Sequence, residues 1–325
     1  MIKGWRDLSV LIVGCGSIGK RHARVLNGLG VRDIRACDPV LEQRNTLLAQ
    51  VPSAKLYDAY DSALTDSPDT VLICTPSQMH IPMAVEAIEA GCHVLCEKPL
   101  SDTTEGVDGL SRLAADQNKK VMVALCFRYH EGLVKAKRYL DSGRVGRLVS
   151  VRALMGEHLP EVRPDYAELV AAGFYSAFDL MHDLDLAIWY ASQPIRRFHV
   201  VCGAYALYSE LGTDLPDIAE ILLEFKDRCV ASVHLDFFQR PRRRQMELIG
   251  TDGVVIVEFA RWDGCTLSVY EAITGDWEHE EITTERDDMF RAEDREFLEA
   301  VAEDQPILCT IEEGLKSLRV AAAQQ

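Results

Sequence analysis

The chain has 325 residues, of which 48% are hydrophobic and 26% charged, and its formal net charge is −16. This length exceeds the size at which one hydrophobic core usually keeps growing, so we expect two domains. The negative charge argues against nucleic acid as a partner, because phosphate backbones are held by clustered Lys and Arg. The apolar run at residues 8–13 is too short for a secretory signal, and no run is long enough for a membrane span.

The ten cysteines indicate neither a disulfide framework nor a metal site. Six of them fall in or beside predicted strands, where a free thiol behaves as a small hydrophobe. No pair has the spacing of a zinc ribbon, and Cys92 and Cys96 lie too far apart along a strand to chelate one ion. We therefore expect reduced thiols, a cytoplasmic location and no bound metal.

The first part of the chain alternates apolar runs with helical patterns, as in βαβ units around a parallel sheet. The predicted strands are residues 8–13, 34–37, 54–57, 70–74, 92–96 and 121–126. The predicted helices are residues 17–29, 40–50, 79–90 and 103–118. This pattern predicts an α/β domain with a doubly wound parallel sheet at residues 1–124.

The second part, residues 125–325, has longer strands joined by short connections, which predicts an open and mostly antiparallel sheet in an α+β domain. Helices are predicted at residues 127–142, 175–191, 289–303 and 311–322, and strands at 148–157, 197–208, 218–225, 230–238, 245–249, 254–259 and 266–271. In the strand at 230–238, Ala231, Val233, Leu235 and Phe237 alternate with polar residues, so one face should pack on helices.

The first predicted strand runs into three glycines at G-x-G-x-x-G spacing, and a helical pattern follows. The strand must turn at Gly14, the backbone at Gly16 must approach a pyrophosphate, and Gly19 lets helix and strand pack closely. The helix directs its free N–H groups and the positive end of its dipole at the phosphates. The motif predicts a dinucleotide site that includes Ser17 and Ile18.

Asp38 follows the second predicted strand and favours NAD over NADP. Its carboxylate suits the ribose hydroxyls and would repel a 2′-phosphate. Alternatively, Asp38 caps the next helix, and Arg35 or Arg44 binds a phosphate, which leaves NADP open.

Ligands of open α/β sheets gather at the carboxyl ends of the strands. After the fourth strand, Thr75, Pro76, Ser77 and His80 are placed to line the nicotinamide side of the cofactor site. The alternative for Ser77 is an N-cap of the following helix.

Glu97, Lys98 and Pro99 follow the fifth strand, and the proline can adopt a cis peptide that directs the lysine. Beside the cofactor, the Lys98 ammonium would hydrogen-bond a substrate alcohol and favour its alkoxide character. The alternative is a solvated lysine at a strand end.

Asp179, His182 and Asp185 recur at a spacing of three, which places them on roughly one helix face. Carboxylates beside an imidazole orient it and raise its basicity, and such a histidine accepts an alcohol proton. An ordinary polar helix face is the alternative. A metal site is not favoured, because no second histidine is present.

These motifs together resemble the glucose-fructose oxidoreductase, inositol dehydrogenase and rhizopine-catabolism (Gfo/Idh/MocA) family. The resemblance implies an N-terminal Rossmann domain, a C-terminal domain whose open sheet serves oligomer contacts, and nicotinamide-dependent oxidation or reduction of sugars and polyols. It also implies that Lys98 is the catalytic lysine, Asp179 the helix aspartate and His182 the proton-transferring histidine.

One departure concerns the spacing of Asp179 and His182, which is three rather than the commoner four. This helix resembles that of a subgroup associated with surface glycans and acidic sugars, and the likeness extends to residues 158–166 and 237–242.

We therefore expect an NAD-dependent sugar dehydrogenase, either a homodimer or a homotetramer, with Glu97 and Lys98 also beside the cofactor. Because guanidinium groups bind carboxylates and phosphates in bidentate fashion, the substrate is expected to be an acidic or nucleotide-linked sugar. The alternatives are a non-catalytic NAD-binding regulator and an NAD-assisted epimerase or eliminase. The predicted substrate contacts are Arg128, His130, His158, Arg163, Tyr166, Asp179 and His182, with His234 and Arg240 as further candidates.

Overall fold

The computed structural model describes residues 4–171 and 176–323. The described chain divides into two compact units. The first comprises the residues up to Tyr129 together with Asp287–Ala322, and the second comprises His130–Arg286.

The first unit contains a six-stranded parallel sheet in the order β3-β2-β1-β4-β5-β6, which is the Rossmann order. Its central strands β1 and β4 are buried throughout and mostly apolar, because helices cover both faces of such a sheet. Strand order reverses between β1 and β4, so ligands are expected at the carboxyl ends of these strands. The strands are β1 Ser9–Val13, β2 Asp33–Cys37, β3 Lys55–Tyr57, β4 Thr70–Ile73, β5 His93–Glu97 and β6 Val121–Ala124.

Five helices connect these strands, and the predicted helix at residues 17–29 is confirmed at both ends. The short helix α3 had no counterpart in the sequence prediction, since six residues are too few to show a helical period. The helices are α1 Ser17–Leu29, α2 Leu41–Gln50, α3 Tyr60–Thr65, α4 His80–Glu89 and α5 Val107–Asp116.

The second unit contains an eight-stranded sheet in the order β14-β13-β12-β11-β7-β10-β9-β8. All its neighbouring strands are antiparallel except β7 and β10, which confirms the mostly antiparallel prediction. The exposed edge strand β14 was missed because its run of charged residues hides the alternation. The strands are β7 Leu148–Gly156, β8 Ile195–Gly203, β9 Ile218–Phe225, β10 Val230–Asp236, β11 Arg243–Gly250, β12 Gly253–Glu258, β13 Gly264–Glu271 and β14 Asp276–Thr283.

One face of this sheet is covered by helices, as the alternation in β10 predicted. Ala231, Val233 and Leu235 are buried, and the helices that cover the face pack on β7, β10, β12 and β13. The opposite face exposes apolar side chains, including Leu222 and Val230. The helices of this unit are α6 Glu131–Asp141, α7 Leu159–Val162, α8 Tyr166–Ala171, α9 His182–Ala191 and α10 Leu207–Glu210.

Two predicted helices of this region are interrupted. The helix expected at residues 127–142 is a 3-10 turn at Cys126–Tyr129 followed by α6. The helix expected at 175–191 begins at Tyr175, which lies outside the described residues, and its described part is a 3-10 turn at Ala177–Leu180 followed by α9.

The last two helices, α11 Asp288–Glu303 and α12 Ile311–Ala322, belong to the first unit, although the predicted boundary assigned them to the second domain. Phe297, Leu298 and Leu318 join the core around the parallel sheet. A Cβ added at Gly314 would lie 2.7 Å from the Val123 side chain, so α12 packs closely on β6. An amphipathic pattern shows which helix face is buried, but it does not identify the sheet that buries it.

All ten cysteines are free thiols. Within residues 4–171 and 176–323, no helix combines the length and apolar character needed to cross a membrane.

Candidate active site

The turn between β1 and α1 gives each motif glycine a distinct role. Gly14 has a positive φ of 92°, and a Cβ there would lie 2.6 Å from the carbonyl oxygen of Cys74. A Cβ at Gly19 would lie 1.9 Å from the carbonyl oxygen of Gly14, so close packing requires glycine. A Cβ at Gly16 would meet no described atom within 4 Å. The open space at Gly16 lies at the start of α1, where Ser17 and Ile18 form the first turn, and it fits a pyrophosphate.

Asp38 joins the glycine turn to the end of β2. Its Oδ2 accepts a hydrogen bond from the Cys15 N–H at 2.7 Å, and its Oδ1 accepts one from the Val40 N–H at 2.8 Å. The Arg44 guanidinium donates to the carbonyl oxygen of Asp38. Arg35, in contrast, pairs with Asp33 through two hydrogen bonds. Of the two arginines considered for a phosphate, only Arg44 contacts Asp38.

The segment after β4 is fixed by His80, whose side chain is 2% exposed. The His80 ring nitrogens lie 2.8 Å from the carbonyl oxygens of Pro99 and Thr75. This imidazole therefore links the segments that follow β4 and β5. Its burial corrects the expectation that it lines the cofactor site. Ser77 begins a 3-10 turn that follows Pro76, and Met79 is the N-cap of α4, so Ser77 does not cap that helix.

The segment after β5 carries Lys98, which is half-buried and joined to Pro99 by a cis peptide. The Glu97 carboxylate accepts a hydrogen bond from the Lys98 N–H at 3.1 Å. The same carboxylate lies 3.1 Å from Nε2 of the buried His22, whose Nδ1 lies 2.8 Å from Asp294. The sequence analysis did not single out His22, which lies three positions after Gly19. Its link to Asp294 had no sequence signal, since 272 positions separate the two residues.

In the second unit, Asp179, His182 and Asp185 are divided between a 3-10 turn and α9. His182 is the first residue of α9 and is half-buried. Asp179 lies in the preceding 3-10 turn and is exposed, whereas Asp185 is 2% exposed. The helix is interrupted at Met181, so the expectation of one shared helix face is corrected: the two carboxylates lie in different environments.

A buried ion pair joins the start of α9 to β11, and sequence reasoning missed it. The Arg244 Nε lies 3.1 Å from each carboxylate oxygen of Asp183, and its Nη2 lies 2.7 Å from Oδ2. Burial raises the pKa of Asp183, and the charge and hydrogen bonds of Arg244 oppose that shift. Asp183 directly follows His182, so this pair anchors the helix end that carries the imidazole.

Several predicted substrate contacts already have partners within the protein. Arg128 is 1% exposed and donates to Glu313 at 2.9 Å within the first unit, which corrects its assignment as a substrate contact. Arg163 pairs with Asp165, next to Tyr166 at the start of α8.

The remaining candidates lie in the second unit. Arg240 contacts Glu161 at 3.0 Å and lies 2.9 Å from Nδ1 of His158. His130 is largely buried, with its ring centroid 5.9 Å from that of Phe259. His234 lies between Asp236 and Glu220, and the hydrogen bond to Asp236 raises its pKa to about 9.

Among the described residues, no group of three or more His, Cys, Asp or Glu side chains could hold a metal ion.

Comparison with known families gives a match in each unit. Residues 8–125 match an oxidoreductase family with an NAD-binding Rossmann fold, and residues 133–256 match the GFO/IDH/MocA C-terminal domain. The chain belongs to the GFO/IDH/MocA family of oxidoreductases. The family resemblance inferred from the motifs is thus confirmed.

Relatives in this GFO/IDH/MocA family include dehydrogenases. Inositol 2-dehydrogenase of Salmonella typhimurium is 31% identical over 221 residues, covering 66% of this chain and 62% of the relative. UDP-N-acetylglucosamine 3-dehydrogenase of Acidithiobacillus ferrooxidans is 26% identical over 324 residues, covering 96% and 93%. The solved structure of levoglucosan dehydrogenase in complex with NADH and levoglucosan is 20% identical, with a TM-score of 0.84 and coverage of 98% and 96%. This last likeness confirms the fold.

Proposed function

We propose that this oxidoreductase transfers hydride between a nicotinamide cofactor and a hydroxyl-bearing carbon of a sugar or sugar derivative. The observation that carries the proposal is the turn at Gly14–Gly19, whose open space at Gly16 would admit a pyrophosphate. The named activities of the inositol, levoglucosan and UDP-N-acetylglucosamine dehydrogenases support a sugar-type substrate.

The cofactor would be held by backbone N–H groups at the start of α1 and by Asp38. We favour NAD because the Asp38 carboxylate would accept ribose hydroxyls and repel a 2′-phosphate. Arg44 beside Asp38 keeps NADP as the alternative. When bound, the nicotinamide ring accepts or returns the hydride. Thr75, Pro76 and Ser77 would line its site.

Two side chains would interact with the substrate hydroxyl. Lys98 would donate a hydrogen bond to the oxygen and stabilise its developing negative charge. His182 would accept the hydroxyl proton, with Asp179 orienting the substrate and the ring. In the reverse reduction, His182 returns the proton to the same oxygen.

The proposal is tested by NADH binding, followed by fluorescence, and by absorbance at 340 nm with NAD and a panel of sugars, polyols, uronic acids and nucleotide sugars. Lys98→Met and His182→Asn should each lower kcat by about 10²–10⁴-fold while the protein still binds NADH. Binding of NADH without turnover of any substrate would instead support a regulator. Cofactor retained through purification, with substrate conversion and no net NADH, would support a redox-neutral epimerase or eliminase.

An acidic or nucleotide-linked sugar is a second, narrower proposal. Arg240 favours it, because its side chain is 60% exposed and only partly neutralised by Glu161. Arg163 is weaker support, since Asp165 already occupies its guanidinium. Arg240→Gln should raise KM for charged sugars at least tenfold and leave KM for neutral polyols unchanged.

We also propose that the protein forms a homodimer or homotetramer through the uncovered face of the second sheet. Leu222 and Val230 are 57% and 52% exposed on neighbouring strands of that face, and such apolar area favours association. Light scattering coupled to size exclusion should give two or four subunits, and Leu222→Glu should reduce that number.

A further inference from the structure

His22 is enclosed by acidic groups from two other elements of the first unit. Its imidazole is 1% exposed, and Nδ1 lies 2.8 and 3.0 Å from the two carboxylate oxygens of Asp294 on α11. Nε2 lies 3.1 Å from Oε1 of Glu97 at the end of β5. Phe290 closes one side, with its ring edge-on to the imidazole at a centroid distance of 5.6 Å. Each ring nitrogen therefore faces a carboxylate.

This arrangement favours the imidazolium form, because only a ring with hydrogens on both nitrogens donates to both carboxylates. Burial alone would lower the pKa of His22, but Asp294 and Glu97 outweigh it and raise that pKa well above its ordinary value. Burial opposes ionisation of Glu97 as well, yet the hydrogen bond and charge of His22 lower its pKa. Burial raises the pKa of Asp294, and the charge and hydrogen bond of His22 oppose that shift. The result is a buried imidazolium that faces Glu97 and Asp294.

Glu293, the neighbour of Asp294, is in the opposite situation. It is fully buried, and neither of its carboxylate oxygens has a hydrogen-bond partner in the described part of the chain. A buried carboxylate without a partner is costly, so the group is expected to be neutral. Burial, reinforced by the charge of Glu97, raises the pKa of Glu293 well above its usual value.

We propose that His22 and Asp294 are positioning residues that fix Lys98 through Glu97. The inference rests on the proposed role of Lys98. The imidazolium donates hydrogen bonds to Asp294 and to Oε1 of Glu97. Oε2 of Glu97 in turn accepts a hydrogen bond from the backbone N–H of Lys98 at 3.1 Å. Without the cation, only the charge of Lys98 would offset the burial of the Glu97 carboxylate, and that carboxylate would move toward water or become protonated.

The experiment compares Asp294→Asn with Glu293→Gln in the full-length chain. Both substitutions replace a buried carboxyl with its nearly isosteric amide, but only the first removes a charge that faces His22. The experiment covers pH 6–8.5. Two titratable groups contact the ring, Glu97 at the end of β5 and Asp294 on α11, and the Glu293 carboxyl on α11 interacts with its charge. The Cys74 thiol interacts with Glu97 and Asp294. The readouts are kcat, KM for NAD and the Kd for NADH at each pH.

In Asp294→Asn, the His22 imidazolium should lose its proton between pH 6 and pH 8.5, because one of the two carboxylates that stabilise it is gone. We expect kcat to fall at least tenfold between pH 6 and pH 8.5 relative to the native protein, with recovery at low pH and a smaller change in KM. Glu293→Gln should keep the native profile. Identical profiles for the two variants would overturn the inference.

Two further measurements keep the test decisive. NMR of ¹⁵N-labelled histidine in the native protein should show the His22 ring protonated up to pH 8.5, and loss of that proton below pH 7 would overturn the inference even if Asp294→Asn fails to fold. If no substrate turns over, the proposed function fails. The positioning claim is then decided by NADH affinity, which should weaken at least fivefold with rising pH in Asp294→Asn alone.

Discussion

Replacement of Arg244 by Met should destabilise the protein strongly, because it leaves the Asp183 carboxylate buried without its partner. Asp183 is fully buried and the Arg244 side chain is 4% exposed, with three N–O contacts between 2.7 and 3.1 Å. Removing one member of such a pair typically costs about 3–5 kcal/mol. For a unit of this size, that corresponds to a decrease in Tm of about 6–20 °C.

The loss should depend on pH in a definite direction. Burial already raises the pKa of Asp183, and removal of Arg244 takes away the main opposing influence. The folded variant then binds the Asp183 proton more tightly than the unfolded chain does. Its stability is therefore highest at low pH and decreases as pH rises from about 4 through the raised pKa. The loss of unfolding free energy relative to the native protein should be clearly smaller at pH 5 than at pH 8.

Urea denaturation followed by circular dichroism at both pH values measures these effects. The matched control is Arg243→Met on the same strand, where the side chain is exposed and contacts Gln245, and its effect should stay within about 0.5 kcal/mol. The double variant Asp183→Leu with Arg244→Met should recover much of the loss, since apolar residues can replace a buried pair. A loss below about 1 kcal/mol, or one independent of pH, would refute the reasoning.

Four other substitutions test the remaining features. Gly19→Ala should lower the free energy of unfolding by about 3 kcal/mol or more, because its Cβ would overlap the Gly14 carbonyl. Gly16→Ala should keep its Tm within a few degrees and weaken NADH binding at least tenfold. Equal losses of Tm for the two variants in thermal scans would contradict this difference. Asp38→Asn should lower the NADH-to-NADPH preference at least tenfold in steady-state kinetics, and an unchanged ratio would exclude contact with the ribose. His234, whose pKa is raised to about 9, adds stability at low pH that is lost as pH rises from about 6.5 through 9. His234→Asn should remove that slope from denaturation curves, and a persisting slope would assign it elsewhere.

The parallel-sheet unit was largely predictable because its central strands are buried on both faces. Each of these strands appears in the sequence as a nearly continuous apolar run, and glycine occupies the turn where a Cβ has no room. The spacing of Gly14, Gly16 and Gly19 thus predicted both local structure and the cofactor class. The second sheet was also anticipated where alternation is clean, as in β10. Charged β14 and the short helices carry no such period.

The contacts that complete the candidate site were less predictable, because they join residues distant in the chain. Nothing local to His22 indicates Asp294, and nothing local to Asp183 indicates Arg244. Spacing also misled at Asp179, where an i, i+3 pattern suggested a continuous helix that the structure interrupts. Arg128 looked suited to an anionic ligand, yet Glu313 on α12 already neutralises it.

The return of α11 and α12 to the first unit has a consequence for biosynthesis. Residues 130–286 form a separate compact body inserted between two stretches of sequence that build one core. On the ribosome, the inserted body can fold while β6 still lacks its covering helix. The nucleotide-binding body can finish only when the C-terminal segment emerges, so a premature stop after residue 286 would leave its hydrophobic interior open to chaperones and proteases.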